Sequence, residues 1–291
     1  MILYTGASGF LGKIAFPILQ KKFNVVGLCH ANSCNNIFTP VDITNQSEIL
    51  NLLDKLNPET VIHSAACREP DLCEKNPNFA FKLNSDATNF IASWCAQNQK
   101  KLLYISTDYV FDGKNPPYNE NDDLSPVNVY GKSKAIGESH VKKCPNHIII
   151  RIPLQFGFSV SGENSIISKI LSALNQNISC EVNNVQVRFP TLCDDVAYAI
   201  SDLLKIDFNG TIHLSGHSPV TRYDIWKETA DVFGLDDSKI IPTEKPVEQF
   251  APRPYNSQLS TKLYDSLNLH KFHSFRDGLI IIKNKMKNVI G

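Results

Sequence analysis

Short apolar runs alternate with longer amphipathic segments along the first half of the chain. This repeated order of strand and helix is typical of a parallel sheet that helices cover on both faces. The apolar runs predict strands at residues 2–5, 24–28, 60–63, 101–106 and 147–152. The segments between them predict helices at residues 11–21, 45–56, 78–97 and 128–142. Because crossovers of this length join parallel strands, we expect an α/β fold with a doubly wound parallel sheet.

The alternation weakens beyond about residue 157. The later predicted elements are helices at 166–174, 193–204, 223–233 and 273–285 and a strand at 211–214. The helix at 193–204 and the strand at 211–214 resemble a further helix and strand of the doubly wound sheet. We therefore expect one domain over residues 1–156, to which residues 192–217 return. Residues 157–191 and 218–291 would form a smaller, interleaved C-terminal lobe.

Composition and charge exclude several classes of protein. The 291 residues are 42% hydrophobic, and 29 Lys and Arg balance 29 Asp and Glu. This neutral balance argues against a nucleic-acid binder, which needs clustered positive charge. The first residues run into a glycine turn without a secretion signal, and no stretch reaches the roughly 18 apolar residues of a membrane span. We expect a cytoplasmic protein that does not bind membranes.

Eight cysteines are scattered along the chain without a Cys-x-x-Cys pair. This distribution fits reduced thiols in a reducing compartment better than a disulfide framework or a zinc site. We therefore predict buried, reduced cysteines and no metal site.

Three glycines, Gly6, Gly9 and Gly12, follow the first predicted strand and open the first predicted helix. Gly6 permits a tight turn, Gly9 lets the backbone approach a pyrophosphate, and Gly12 allows close helix packing. The helix amides then face the anion. The spacing and its context predict a dinucleotide-binding domain of the Rossmann type.

The end of the second predicted strand indicates which dinucleotide binds. An NAD-selective site places a carboxylate there for the ribose hydroxyls, whereas this chain has His30, Asn32 and Ser33 in the segment that follows Cys29. Without a carboxylate to repel it, a 2′-phosphate is tolerated, and these side chains supply hydrogen-bond donors. We expect NADP(H) to be preferred and NAD(H) to be accepted.

Candidate proton-transfer residues lie near the start of the helix predicted at 128–142. Tyr130 and Lys134 are four residues apart and project from one helix face. A neighbouring ammonium favours the phenolate, so we expect it to lower the tyrosine pKa. Upstream, Thr107 lies at the carboxyl end of a predicted central strand, where open α/β sheets bind ligands. We expect Thr107 to orient a substrate carbonyl beside Tyr130, and Ser106 to face the opposite side of the strand.

With these motifs, the chain resembles the extended short-chain dehydrogenases of the dTDP-4-dehydrorhamnose reductase group. The resemblance covers nearly the whole length. Its main segments are Thr-Gly-Ala-Ser-Gly-Phe-Leu-Gly at 5–12, Ser-Thr-Asp-Tyr-Val-Phe-Asp-Gly at 106–113 and Val-Tyr-Gly-Lys-Ser-Lys at 129–134. It implies NADPH-dependent reduction of a nucleotide-linked 4-keto-6-deoxy sugar at C4, with Tyr130 as proton donor. The C-terminal helices suggest, by analogy, a homodimer.

Together with the patterns above, the resemblance assigns a role to each candidate residue. The catalytic triad would be Thr107, Tyr130 and Lys134. The cofactor would contact Gly6, Ser8, Gly9, Phe10, Leu11, Gly12, His30, Asp42, Ile43, Ser64, Ala65, Ala66, Asn84, Tyr130 and Lys134. The substrate would contact Cys67, Arg68, Thr107, Asp108, Tyr109, Leu154, Arg188 and Arg253, with Arg253 either on its diphosphate or in a surface ion pair.

Several substrate-site positions depart from the reductase pattern, among them Cys67, Arg68, Leu154 and Arg188. The segments Arg-Ile-Pro at 151–153 and Arg-Phe-Pro-Thr at 188–191 resemble the regulatory β subunit of methionine adenosyltransferase instead. That resemblance implies an alternative function: an NADP-binding partner of the adenosyltransferase catalytic subunit, with little turnover of its own. The complete triad favours the reductase. An epimerase or a dehydratase of the same superfamily is a third interpretation. Dehydratases usually carry an acidic pair after the active-site threonine, whereas Tyr109 follows Asp108 here, which weakens the dehydratase interpretation.

Overall fold

The computed structural model describes residues 1–30, 37–159, 165–176, 178–245 and 250–290. The strands are β1 (Ile2–Thr5), β2 (Val25–Cys29), β3 (Thr39–Pro40), β4 (Thr60–His63), β5 (Lys101–Thr107), β6 (His147–Ile152), β7 (Gln155–Phe156), β8 (Cys180–Asn183), β9 (Val187–Arg188), β10 (Thr191–Leu192), β11 (Gly210–His213), β12 (Val220–Thr221) and β13 (Ile240–Thr243). The helices are α1 (Phe10–Gln20), α2 (Gln46–Leu56), α3 (Pro70–Lys75), α4 (Pro77–Phe81), α5 (Ala87–Gln97), α6 (Val129–Val141), α7 (Ile166–Asn175), α8 (Cys193–Leu203), α9 (Arg222–Phe233), α10 (Lys262–Ser266) and α11 (Phe275–Ile290).

Seven strands form one parallel sheet in the order β11, β6, β5, β4, β1, β2, β3. Successive side chains of a strand point to opposite faces, and both faces of this sheet are covered. On one face, Ile62, Leu103 and Ile150 pack with residues of α1 and α8. On the other face, Val61 and Leu102 pack with residues of α2 and α5. The predicted doubly wound α/β fold is confirmed.

The order of the strands reverses at β1, whose neighbours are β2 on one side and β4 on the other. Ligands of open α/β sheets bind in the crevice outside the carboxyl ends of the strands at such a point. The glycine turn follows β1 directly, and residues 64–66 follow β4. The topology therefore brings these two segments together at one edge of the sheet.

The helix predicted at residues 78–97 is interrupted. A π-helical turn at Lys82–Asp86 separates α4 from α5. Inside this turn the Asn84 carbonyl accepts hydrogen bonds from the Thr88 hydroxyl at 2.8 Å and from the Tyr104 hydroxyl at 3.4 Å. Such turns appear mostly as single insertions in α-helices, often at functional sites. The apolar periodicity did not predict the π-helical turn, because the turn makes contacts with residues distant in the sequence, such as Tyr104.

Three small sheets lie outside the seven-stranded sheet: β7 with β10, β8 with β13, and β9 with β12. A separate apolar cluster there contains residues of α7, α9 and α11, including Ile170, Ile225 and Leu279. The chain then returns to the main sheet, where β11 pairs in parallel with β6. The domain boundaries themselves stay a prediction. None of the described helices combines the length and apolar character that crossing a membrane requires.

The prediction that all eight cysteines are reduced was wrong for Cys29. Six described cysteines are free thiols, whereas Cys29 is disulfide-bonded. Cys34 lies outside the described residues. Searching for Cys-x-x-Cys alone does not test pairs at other spacings.

Candidate active site

A cleft of about 700 Å³ opens at the carboxyl ends of β1, β4, β5 and β6. Its walls combine the glycine turn, the loop after β4, the start of α6 and two arginines from later in the chain, Arg188 and Arg253. The cleft is large enough for a drug-sized or larger ligand, for which pockets of roughly 300–1,000 Å³ are usual.

The glycine turn is shaped so that only glycine fits at two of its positions. Gly6 has a φ of +73°, and a Cβ there would lie 2.7 Å from the Ala65 amide nitrogen. A Cβ on Gly12 would lie 2.2 Å from the Gly6 carbonyl oxygen. Because no side chain fills this cradle and the first turn of α1 has no acidic residue, the amides at the start of α1 fit an anion such as a pyrophosphate.

The far end of the cleft carries Asp42 and His30. The Asp42 carboxylate accepts hydrogen bonds from the Thr44 amide at 2.9 Å and from its hydroxyl at 2.7 Å. These bonds, chiefly the one from the hydroxyl, lower the pKa of Asp42. His30 is exposed at the end of β2, while the predicted donors Asn32 and Ser33 lie outside the described residues.

Thr107 ends β5 and caps the short 3-10 turn at Asp108–Val110. Its hydroxyl donates to Asp108 at 3.1 Å and accepts from the Tyr109 amide at 3.2 Å. The Asp108 carboxylate also accepts a hydrogen bond from Ser257. Burial raises the pKa of Asp108 to about 6. Thr107 is therefore fixed both as a turn cap and as a wall of the cleft.

Tyr130 is positioned by the start of α6. The Asn128 side chain accepts from the Gly131 amide at 2.8 Å and donates to the Pro252 carbonyl at 2.8 Å. A Cβ on Gly131 would lie 2.1 Å from the Tyr109 carbonyl oxygen, so glycine lets α6 approach the 3-10 turn. The Tyr109 and Tyr130 rings meet edge to face with centroids 5.9 Å apart. This packing places the Tyr130 hydroxyl beside Thr107.

Lys134 stands one helical turn beyond Tyr130 and is only 2% exposed. Its ammonium donates to the Ile105 carbonyl at 2.7 Å and lies 3.9 Å from the centroid of the Tyr104 ring. Burial lowers the pKa of Lys134 to about 7, against a smaller raising effect of Glu138. Lys134 is therefore partly uncharged near neutral pH.

The expectation that Lys134 lowers the pKa of Tyr130 was wrong. Burial raises the pKa of Tyr130, and the opposing hydrogen bond comes from Thr107. The physical reason is that the cleft desolvates both side chains, so each favours its neutral form. Tyr130 is consequently a protonated phenol at neutral pH, which is the form needed to donate a proton to a carbonyl oxygen.

Two arginines, Arg188 and Arg253, line the cleft with Tyr109, and the charge of a third, Arg222, also acts on Tyr109. Arg188 donates to the Val187 and Pro254 carbonyls at 2.7 and 3.2 Å. Arg253 forms an ion pair with Asp71 at 3.0 Å. Burial lowers the pKa of Arg222, and the positive charges of Arg188 and Arg253 lower it further. Among the described residues no carboxylate forms an ion pair with Arg188 or Arg222, so the group fits a multiply charged anion.

A family model described as the RmlD substrate binding domain matches residues 1–287. The chain belongs to the RmlD substrate-binding family. This finding confirms the resemblance predicted from the glycine turn and from the segments at 106–113 and 129–134.

Relatives of this RmlD-family chain include adenosyltransferase subunits and solved reductases. Methionine adenosyltransferase 2 subunit beta of Mus musculus is 35% identical over 289 residues, which cover 96% of this chain and 85% of that protein. The dTDP-4-dehydrorhamnose reductase of Bacillus anthracis str. Ames, solved in complex with NADP, is 26% identical with a TM-score of 0.85 and 98% of each chain covered. A dTDP-4-dehydrorhamnose reductase ortholog from Clostridium acetobutylicum is 27% identical, with a TM-score of 0.86 over 98% of this chain and 99% of that chain.

The structure brings the predicted site residues of this RmlD-family chain together, with two set back from the cleft. Asn84 is buried, and its side chain bonds the Cys67 amide at 2.8 Å, the Cys67 carbonyl at 2.9 Å and the Ser133 hydroxyl at 2.9 Å. Cys67 borders a smaller pocket beside the glycine turn. The other predicted residues, including Arg68, Leu154 and the triad, line the cleft.

Sequence reasoning missed Arg222 and Asn128. Arg222 comes close to Arg188, which lines the cleft, because β12 pairs with β9, with Val220 opposite Arg188. This pairing joins two-residue strands far apart in sequence, and no local pattern predicts it. Asn128 was a recognisable signal, since asparagine is a favoured residue immediately before a helix.

Proposed function

We propose that the protein is an NADPH-dependent reductase of a nucleotide-linked 4-keto-6-deoxy sugar. The observation that carries the proposal is the placement of Thr107, Tyr130 and Lys134 in one cleft with the glycine turn. An enzyme that reduces a ketone needs a proton donor beside the carbonyl oxygen and a dinucleotide site next to it. The cleft supports the proposal because its lining places a phenol and the glycine turn in one space.

In the proposed reaction, each part of the cleft has a separate task. NADPH supplies the hydride when it is bound. The amides at the start of α1 hold its pyrophosphate, and Lys134 reaches its ribose. Thr107 orients the sugar carbonyl, and Tyr130 donates its phenolic proton to the carbonyl oxygen. Arg188, Arg222 and Arg253 hold the diphosphate of the sugar nucleotide, which positions the carbonyl.

The test of this function is a turnover assay. Purified protein is mixed with NADPH and with dTDP-, UDP- and GDP-linked 4-keto-6-deoxy sugars, and the absorbance of the reduced cofactor is followed. We expect oxidation of NADPH with at least one of these ketones. Absence of turnover across the panel, with NADPH bound, would contradict the proposal.

The second candidate function is that of a regulatory subunit of methionine adenosyltransferase. It is favoured by the 35% identity to the Mus musculus β subunit over 96% of the chain. In this role the protein would bind the dinucleotide with little turnover of its own and would act through the adenosyltransferase catalytic subunit. The discriminating experiment adds a purified methionine adenosyltransferase catalytic subunit and measures association by sedimentation. Tight association without ketone turnover supports the second function, and turnover without association supports the first.

A further inference from the structure

Two histidines and an aspartate converge at the start of α8. The proposed reaction does not use this group. Asp195 lies in the first turn of α8, and its side chain is 1% exposed. One oxygen of its carboxylate lies 2.9 Å from His270 Nε2 and 2.8 Å from His273 Nδ1. The other oxygen accepts the His273 backbone amide at 2.8 Å. One ligand atom from each side chain lies within 4.8 Å of the other two.

We propose that Asp195, His270 and His273 form a zinc site, with water as the fourth ligand. Two imidazole nitrogens and one carboxylate oxygen form a ligand set that Zn²⁺ takes in proteins. Around a tetrahedral zinc, ligand atoms about 2.0–2.2 Å from the metal lie about 3.3–3.6 Å from one another. Since the observed separations from the carboxylate oxygen are 2.8 and 2.9 Å, each ring needs to withdraw by only about half an ångström.

Proton exchange at the two rings permits this change. In the metal-free arrangement the two facing nitrogens donate protons to the carboxylate. A metal needs their lone pairs, so each neutral ring must carry its proton on its other nitrogen. The side chains of His270 and His273 are 23% and 42% exposed. Water therefore reaches both rings, which gives the metal an entry path.

The location indicates a structural rather than a catalytic metal. None of the three residues lines the cleft. Asp195 belongs to α8, which packs on α1, whereas both histidines lie between α10 and α11. Zinc bound here joins the C-terminal segment to the helix layer that supports the glycine turn. Its expected effect is a higher unfolding temperature without a change in the chemical step.

The test uses the full chain, stripped of metal with a chelator and titrated with Zn²⁺ at neutral pH. Calorimetry measures binding, and thermal unfolding measures stability. We compare wild type with His270→Gln and His273→Gln, and with His217→Gln as a control at an exposed histidine outside the group. Asp195 is left intact because its carboxylate also accepts a backbone amide.

We expect one zinc per wild-type chain, a rise in unfolding temperature, and the same behaviour in His217→Gln. Each ligand variant should lose more than about 100-fold in affinity, beyond the 10- to 100-fold cost typical of outer-shell changes. Co²⁺ in the wild-type site should give the strong visible absorption of a tetrahedral ion. No saturable binding by wild type would show a purely hydrogen-bonded group and overturn the proposal. Binding that survives in His270→Gln and His273→Gln would also overturn it.

Discussion

Tyr130 is the residue on which the proposed chemistry depends, because its partly buried phenol lies beside Thr107 and would be the proton donor. We expect Tyr130→Phe to lower kcat for ketone reduction by about 100- to 10,000-fold, the usual contribution of a positioned acid. The dissociation constant of NADPH, measured by fluorescence titration, should stay nearly unchanged. Tyr255→Phe is the control, since Tyr255 is 56% exposed. Equal turnover by Tyr130→Phe and wild type would exclude Tyr130 as the donor.

Arg222 is expected to affect the binding of the sugar nucleotide. Its partly buried guanidinium lies near enough to Arg188 and Arg253 for their charges to lower its pKa, and no carboxylate of the described residues forms an ion pair with it. Removing it should weaken the grip on a diphosphate, so Arg222→Met should raise KM for the sugar nucleotide at least about 10-fold, as loss of a charged hydrogen bond does. NADPH binding should not change. Arg276→Met, at a 53% exposed side chain on the surface, should leave KM unaltered, and an unaltered KM in Arg222→Met would refute the diphosphate role.

Individual residues were predictable from the sequence where a local pattern carries the chemistry. The glycine turn and the spacing of Tyr130 and Lys134 predicted residues that line one cleft, and among them the candidate proton donor. Protonation states were not predictable, because burial, rather than the charge of Lys134, dominates the pKa of Tyr130. Arg222 was missed because its neighbours lie more than 30 positions away in the sequence.

At the scale of elements, the site depends on the close approach of α6 to the turn after β5. Gly131→Ala would place a Cβ 2.1 Å from the Tyr109 carbonyl oxygen, so α6 must shift. We expect a loss of about 1–3 kcal/mol of unfolding free energy, as for other overpacked sites, and reduced turnover. Urea unfolding measures the first effect. Lys132→Ala, at an exposed position of α6, should show neither effect, and a fully stable Gly131→Ala would contradict the packing described.

Six of the seven strands of the main sheet were the most predictable elements, whereas the two-residue strand β3 was not predicted. Their apolar runs are buried on both faces, so the signal in the sequence is strong. The π-helical turn and the two-residue strands of the small sheets were not predicted. Their hydrogen bonds are made by residues distant in the sequence, such as Tyr104 with Asn84, and composition alone does not show these contacts.

Across the whole molecule, two buried histidines, His63 and His213, make stability sensitive to acid. Burial lowers the pKa of each from 6.5 to about 3. Below pH 6.5 the unfolded chain gains protons that the folded chain does not, so stability present above pH 6.5 is lost as the pH falls toward about 3. His63→Gln should make the fall in unfolding free energy between pH 6.5 and about pH 4 shallower. Urea unfolding over this range checks it against exposed His217→Gln, and equal slopes in wild type and His63→Gln would contradict the assignment.

The proposed function requires this cleft to transfer a hydride from the nicotinamide to a sugar ketone. The most direct measurement supplies NADPH carrying deuterium at the transferred position of the nicotinamide ring and analyses the sugar product by mass spectrometry. We predict one deuterium at C4 of the sugar with wild type, and about 100- to 10,000-fold slower labelling with Tyr130→Phe. A sugar that remains unlabelled while wild-type protein binds both ligands would contradict the account.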